Sequence, residues 1–96
     1  MTNPDRPAEL SPAAAFQITA EAAQRVAGVI AARHRGDFAG ANALLTELDD
    51  HTRAAGCLFL ADLAIALLAK AEGRDVDETA ADLSLQIAAL APSTTE

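Results

Sequence analysis

Residues 54–72 read AAGCLFLADLAIALLAKAE, and this stretch decides the fold. It has no proline, and its sole β-branched residue is Ile65. Leucine and alanine at this density favour helix, since neither loses much conformational freedom there. The reading is a third helix, from about His51 to Glu72. From Ala54 to Ala69 the only charge is Asp62. A membrane span is the rival reading. It needs about 20 apolar residues, and a central aspartate costs roughly 2.5–3.5 kcal/mol on insertion scales. On a helical wheel Asp62 shares a narrow small-residue face with Ala55, Ala66 and Ala69, while Cys57, Leu58, Leu60, Leu63, Ile65, Leu67 and Leu68 cover most of the rest. That is the pattern of a central helix in a bundle rather than a span.

Working outward, Gly73 stops this helix and Asp75-Val76-Asp77-Glu78 opens a fourth, with Asp75 and Glu78 at the spacing of a capping box. Val76, Ala80, Leu83, Ile87 and Leu90 follow as a short heptad stripe, expected to face the bundle. Upstream, Gly36-Asp37 is a stop and cap of the same kind. After it Phe38, Ala41, Leu44, Leu45 and Leu48 mark one face of a short second helix ending near Asp49. The first helix starts at Ser11-Pro12, with serine as cap and proline at the first helical position. It runs to about Arg35 with Ile18, Ala22, Val26, Val29 and Ile30 as its apolar stripe and Phe16 and Ala23 at the edge. The expected fold is all-α, a four-helix bundle of two antiparallel helical hairpins. One domain spans 11–91, between disordered tails at 1–10 and 92–96. The two halves repeat the order long helix, glycine–aspartate turn, short helix, with Asp37 matching Asp75; duplication and convergence on the same helix-turn grammar both explain it.

Composition limits what such a domain can do alone. Of 96 residues 25 are alanine, against 12 Leu, 4 Ile, 3 Val and 3 Phe, with no Trp or Tyr. Alanine allows close packing yet buries little apolar area, so a homodimer is the expected way to enlarge a thin core. The net charge is −7. Residues 1–36 hold four arginines against three carboxylates, and residues 37–96 hold three cations against eleven carboxylates. That balance argues against nucleic acid and leaves open a basic protein partner for the acidic half. A single cysteine and a polar, proline-punctuated N-terminus suit neither a disulfide scaffold nor a signal peptide, so the expected location is the cytoplasm, with no membrane partner.

The run Gly36-Asp37-Phe38-Ala39-Gly40-Ala41, read through Leu48, resembles the mid-repeat turn of tetratricopeptide repeats, with glycine, aromatic and small residues at these spacings. The preceding helix departs from that pattern: Arg25, Gly28, Val29 and Ala32 stand where the family has aromatic or leucine, leucine, glycine and aromatic. No peptide-binding residues carry over. In composition the chain is also similar to small, alanine-rich helical proteins of high-GC bacteria and their phages, a likeness that implies no activity.

No set of residues converges on chemistry. Cys57 falls between Leu68 and Ala64 on the wheel and reads as a buried, inert thiol. Asp49, Asp50 and His51 are adjacent and point apart, without a second histidine one turn on, so no metal site is expected. Asp49/Asp50 and Asp75/Asp77/Glu78 read as helix-start acids, and Arg33, His34 and Arg35 as last-turn partners of the helix dipole. No catalytic residue and no cofactor is expected. The candidate protein interface is Ala81, Leu85, Ala88 and Ala89, where a leucine opposite Val76 stands among alanines on which a second helix could pack. The function expected is a small non-enzymatic interaction protein: an adaptor, assembly factor or regulator. One alternative is an acidic regulator of a basic mobile-element or toxin-type partner, and another is an enzyme whose site is not recognisable.

Overall fold

The computed structural model describes residues 11–91, so the expectations for the tails at 1–10 and 92–96 lie outside the described residues. The protein is all-α. Helix α1 spans Pro12–His34, α2 Phe38–Thr46, α3 Asp50–Glu72 and α4 Val76–Leu90. The chain forms two compact units, dividing between Leu60 and Ala61 inside α3.

Local chemistry sets each helix end. The Ser11 hydroxyl accepts the Ala14 amide at 3.1 Å, with Pro12 in the first turn. The Asp37 carboxylate accepts the Gly40 amide at 2.9 Å and caps α2. A methyl group on Gly40 would lie 2.2 Å from that carboxylate, so any larger residue there would make the Asp37 side chain shift. At the start of α3 the Asp49 carboxylate accepts from the Thr52 amide at 2.8 Å and from its hydroxyl at 3.1 Å. On α4 the capping box forms in full: Glu78 N–H donates to Asp75 at 2.8 Å, and Asp75 N–H donates to Glu78 at 3.4 Å.

Both glycine stops adopt left-handed geometry, Gly36 at φ 84° and Gly73 at φ 68°. In each turn the glycine N–H and the next residue's N–H reach back to the final carbonyls. Gly36 donates to Arg33 and Asp37 to Ala32, while Gly73 donates to Lys70 and Arg74 to Ala69. These are two Schellman motifs of the same form.

In the first unit, α1 packs on α2 through Val29, Ala32 and Ala41, with Leu44 and Leu45 half-buried against them. The other buried edge of α1, at Ala22 and Ala23, meets α3 at Gly56. A Cβ added to Gly56 would stand 2.8 Å from the Ala22 Cβ, 2.9 Å from the Ala22 carbonyl carbon and 3.0 Å from the Ala23 nitrogen. Two of those three atoms are backbone, so the helices cross at a distance only glycine permits. Phe16 and Phe59 extend the contact edge to face, with ring centroids 5.5 Å apart. Arg25 and Glu47 add an ion pair at the rim.

Several side chains expected in the core are outside it. Ile18 and Ile30 on α1 and Phe38 on α2 are exposed, because the buried face of α1 is turned toward Ala23 and Ala32, and Phe38 sits at the very start of α2. Cys57 is exposed too, which corrects its reading as a buried thiol: the α1 contact runs through its neighbour Gly56 and leaves the thiol beside it uncovered.

In the second unit, α3 from Ala61 onward and α4 bury little. Ala69 and Thr79 are buried, the Thr79 hydroxyl donating to the Asp75 carbonyl at 2.9 Å. Ile65, Ala80 and Leu83 are half-buried. Arg74 ties the turn to α4 through the Glu78 carbonyl at 3.2 Å and the Asp82 carboxylate at 3.5 Å. The heptad stripe was expected to face inward along its length. Only Ala80 and Leu83 at its middle are half-buried, for Val76, Ile87 and Leu90 are 48%, 67% and 84% exposed.

Candidate functional site

The four candidate interface residues all lie on α4. Ala81, Leu85, Ala88 and Ala89 are exposed, and Leu85 is 71% exposed. Helical spacing puts them on one side, turned away from the half-buried row of Ala80 and Leu83. A leucine among alanines gives a low, apolar ridge with no long side chain to hinder a second helix. Isolated exposed leucines are ordinary. Here Leu85 belongs to a run of nine residues, Leu83–Ala91, that carries no charge.

Helix α3 carries a second apolar surface. Leu63 and Leu67, one turn apart, are 50% and 59% exposed. The helix is 23 residues long, its most apolar stretch has a mean hydropathy of 1.9, and 11% of that stretch is buried. By length and composition alone it suffices to cross a membrane.

Titratable groups are engaged locally. The Asp49 carboxyl is held below its ordinary value, first by the Thr52 amide, then by the Thr52 hydroxyl and the neighbouring His51. A carboxyl depressed by folding contributes stability above its unfolded pKa and loses it as pH falls through the folded value. Asp49 therefore strengthens the start of α3 at neutral pH and weakens it in acid. Asp75 and Glu78 serve the cap of α4, and Asp82 receives Arg74 and the Gln86 amide. Among the described residues no three His, Cys, Asp or Glu side chains come together as a metal-binding group.

The basic turn Arg33-His34-Arg35 is exposed at the end of α1. Arg33 and His34 share an open groove of about 270 Å³ with Ile30 and Phe38. A groove of about 260 Å³ runs between α1 and the start of α3, where His51 stands among Ala15, Ile18 and Ala55. Neither groove gathers a nucleophile, a base and an oxyanion donor, the three elements an acyl-transfer site needs.

The feature missed by sequence reasoning is Gly56. Its signal was a mid-helix glycine, which costs about 1 kcal/mol against alanine and calls for a packing reason. No known protein family matches this chain, and no curated protein or solved structure matches it either.

Proposed function

We propose that this chain is a small, non-enzymatic, cytoplasmic interaction protein, an adaptor, assembly factor or regulator that works through apolar helix faces, both with itself as a homodimer and with another protein. The observation that carries this reading is the exposed, uncharged second half of α4, with Leu85 at its centre. In a chain whose large side chains are so few, leaving them in water is unfavourable by about 1.5–3 kcal/mol each relative to burial. A partner that covers them recovers that free energy. The four-helix bundle of two antiparallel hairpins is the arrangement we propose for the assembled protein.

The acidic-regulator alternative has less support. On α4 Asp75 and Glu78 are committed to the cap and Asp82 to Arg74, which leaves Asp77 as the free carboxylate for a basic partner. The test is Leu85→Asp, made in the full chain and compared with Ser84→Asp. Circular dichroism and melting should match wild type for both, and cross-linking to the protein partner should fail for Leu85→Asp alone. Equal cross-linking by both variants contradicts a role for this face. A partner captured at low salt and lost at high salt regardless of Leu85 supports the acidic regulator instead.

A further inference from the structure

Three arginines of this acidic chain are matched locally: Arg25 pairs with Glu47, Arg53 with Asp50, and Arg74 with Glu72 and Asp82. Arg33 and Arg35, with His34 between them, meet no carboxylate among the described residues. The helix end does not occupy them either. The N–H groups of Arg35, Gly36 and Asp37 already donate to the Ala31, Ala32 and Arg33 carbonyls, so backbone closes the final turn of α1. The adjoining acid, Asp37, gives its carboxylate to the Gly40 amide. Attraction to the helix dipole therefore leaves the side-chain donors of Arg33 free.

Arg33 and His34 also stand against an apolar wall. They line the groove of about 270 Å³ together with Ile30, one turn back on α1, and Phe38, the first residue of α2. Ile30 is 45% exposed and Phe38 65% exposed, so water covers that wall in the single chain. The groove lies within the first unit, where the Val29, Ala32 and Ala41 contact holds its two sides together. An aromatic ring beside a free guanidinium is the composition of the energetic centre of a protein interface.

We propose that this groove binds an acidic segment of another protein, in which an apolar side chain stands next to a Glu or Asp carboxylate. Charge complementarity selects the carboxylate, because the Arg33 guanidinium offers a donor fork that fits two oxygens. Ile30 and Phe38 cover its apolar neighbour. Other occupants fit less well. Nucleic acid needs a basic surface many phosphates long, and a chain of net charge −7 with one basic turn repels it. A small molecule needs about 300–1,000 Å³ that enclose most of its surface, and this groove is smaller and open. A second copy is a poor source of the acid, since the carboxylates of α4 serve their own cap and Arg74. The proposal rests on the reading of the chain as an interaction protein, and adds a contact in the other unit from the Leu85 face.

The experiment is fluorescence anisotropy on the full chain with three labelled peptides. One alternates leucine and glutamate, one leucine and glutamine, and one glycine and glutamate. The first should bind about tenfold more tightly than either control, and less tightly as salt rises. Arg33→Glu and Phe38→Ala should each weaken it about tenfold, while Arg35→Glu, with the same change in net charge outside the groove, should stay within about twofold. All three positions are exposed, so circular dichroism and melting should match wild type. No binding of the first peptide at millimolar concentration, equal binding of all three, or an equal loss in Arg35→Glu overturns the groove. So does low-salt self-association that Arg33→Glu abolishes in sedimentation, which would make a second copy the occupant. If peptide binding fails while Leu85→Asp still abolishes partner cross-linking, the groove falls and the interaction reading stands. Peptide binding as expected, with cross-linking untouched by Leu85→Asp, supports the groove and removes the Leu85 face.

Discussion

The turn after α1 and the turn after α3 are built alike, yet the helices they join are packed differently. Each has an alanine in the last turn, Ala32 or Ala69, whose carbonyl receives the far hydrogen bond, and each has a glycine at positive φ. Each also hands over to an aspartate cap, one residue later in the second turn. From there the units diverge. Around α1 the buried positions Ala22, Ala23, Val26, Val29 and Ala32 run over three turns and meet Ala41 on one side and Gly56 on the other. Around α4 burial ends within two turns of the cap, at Leu83. The difference lies in what the facing row carries. Alanine and glycine let the first unit close, whereas on α4 only Thr79 is buried. Local turn chemistry sets how helices are joined; the residues opposite decide how far they stay together.

The sharpest way to break this contrast is a charge in each place. Val29→Asp should unfold the first unit, at about 3 kcal/mol or more, because the carboxylate is buried without a partner. The same aspartate at Leu85 should leave the urea midpoint within about 0.5 kcal/mol of wild type. Similar midpoints for the two would mean that the first unit has no closed core.

Gly56→Ala tests the close crossing. On propensity alone alanine gains about 1 kcal/mol in a helix. The contacts with Ala22 and with backbone oppose it, and overpacking typically costs 1–3 kcal/mol. A lowered midpoint in urea is expected, and a raised one would remove the crossing from the account.

The two turns should respond equally. Gly36→Val and Gly73→Val each place a β-branched residue at positive φ, for a loss of about 1 kcal/mol or more. Open space surrounds both Cβ positions, so the cost is backbone strain alone, and paired melting curves should coincide. Unequal losses would show that one turn is not the left-handed stop described. Smaller and opposite in sign is Asp62→Leu. Removing a charge from the apolar stretch of α3 should raise its helical stability by no more than about 1 kcal/mol, read by melting.

How much of this was legible in the sequence follows the same division. Ser11, Asp37 and the Asp75–Glu78 box all cap as expected, and Gly36 and Gly73 both turn left-handed, because caps and stops depend on residues within one turn of each other. Helix identity and order were legible for the same reason. Burial was not. Phe38, Cys57, Ile87 and Leu90 each sit on an apolar stripe and each is exposed, since periodicity identifies a face without saying which helix covers it. Gly56 was passed over because nothing in its own neighbourhood reveals Ala22. Of the candidate site, the apolar ridge at Leu85 could be read from the wheel, while the exposure of Ile87 and Leu90 beside it could not.

Amide hydrogen exchange at two protein concentrations, followed helix by helix in the wild-type chain, tests the central claim most directly. Amides of α1 and α2 should exchange at rates set by their own closed core, unchanged by concentration. Those of α4 beyond Leu83 should exchange fast in dilute protein and gain protection as concentration rises, because a second copy covers them. Uniform protection along α4 at every concentration, or concentration dependence confined to α1 and α2, would contradict it.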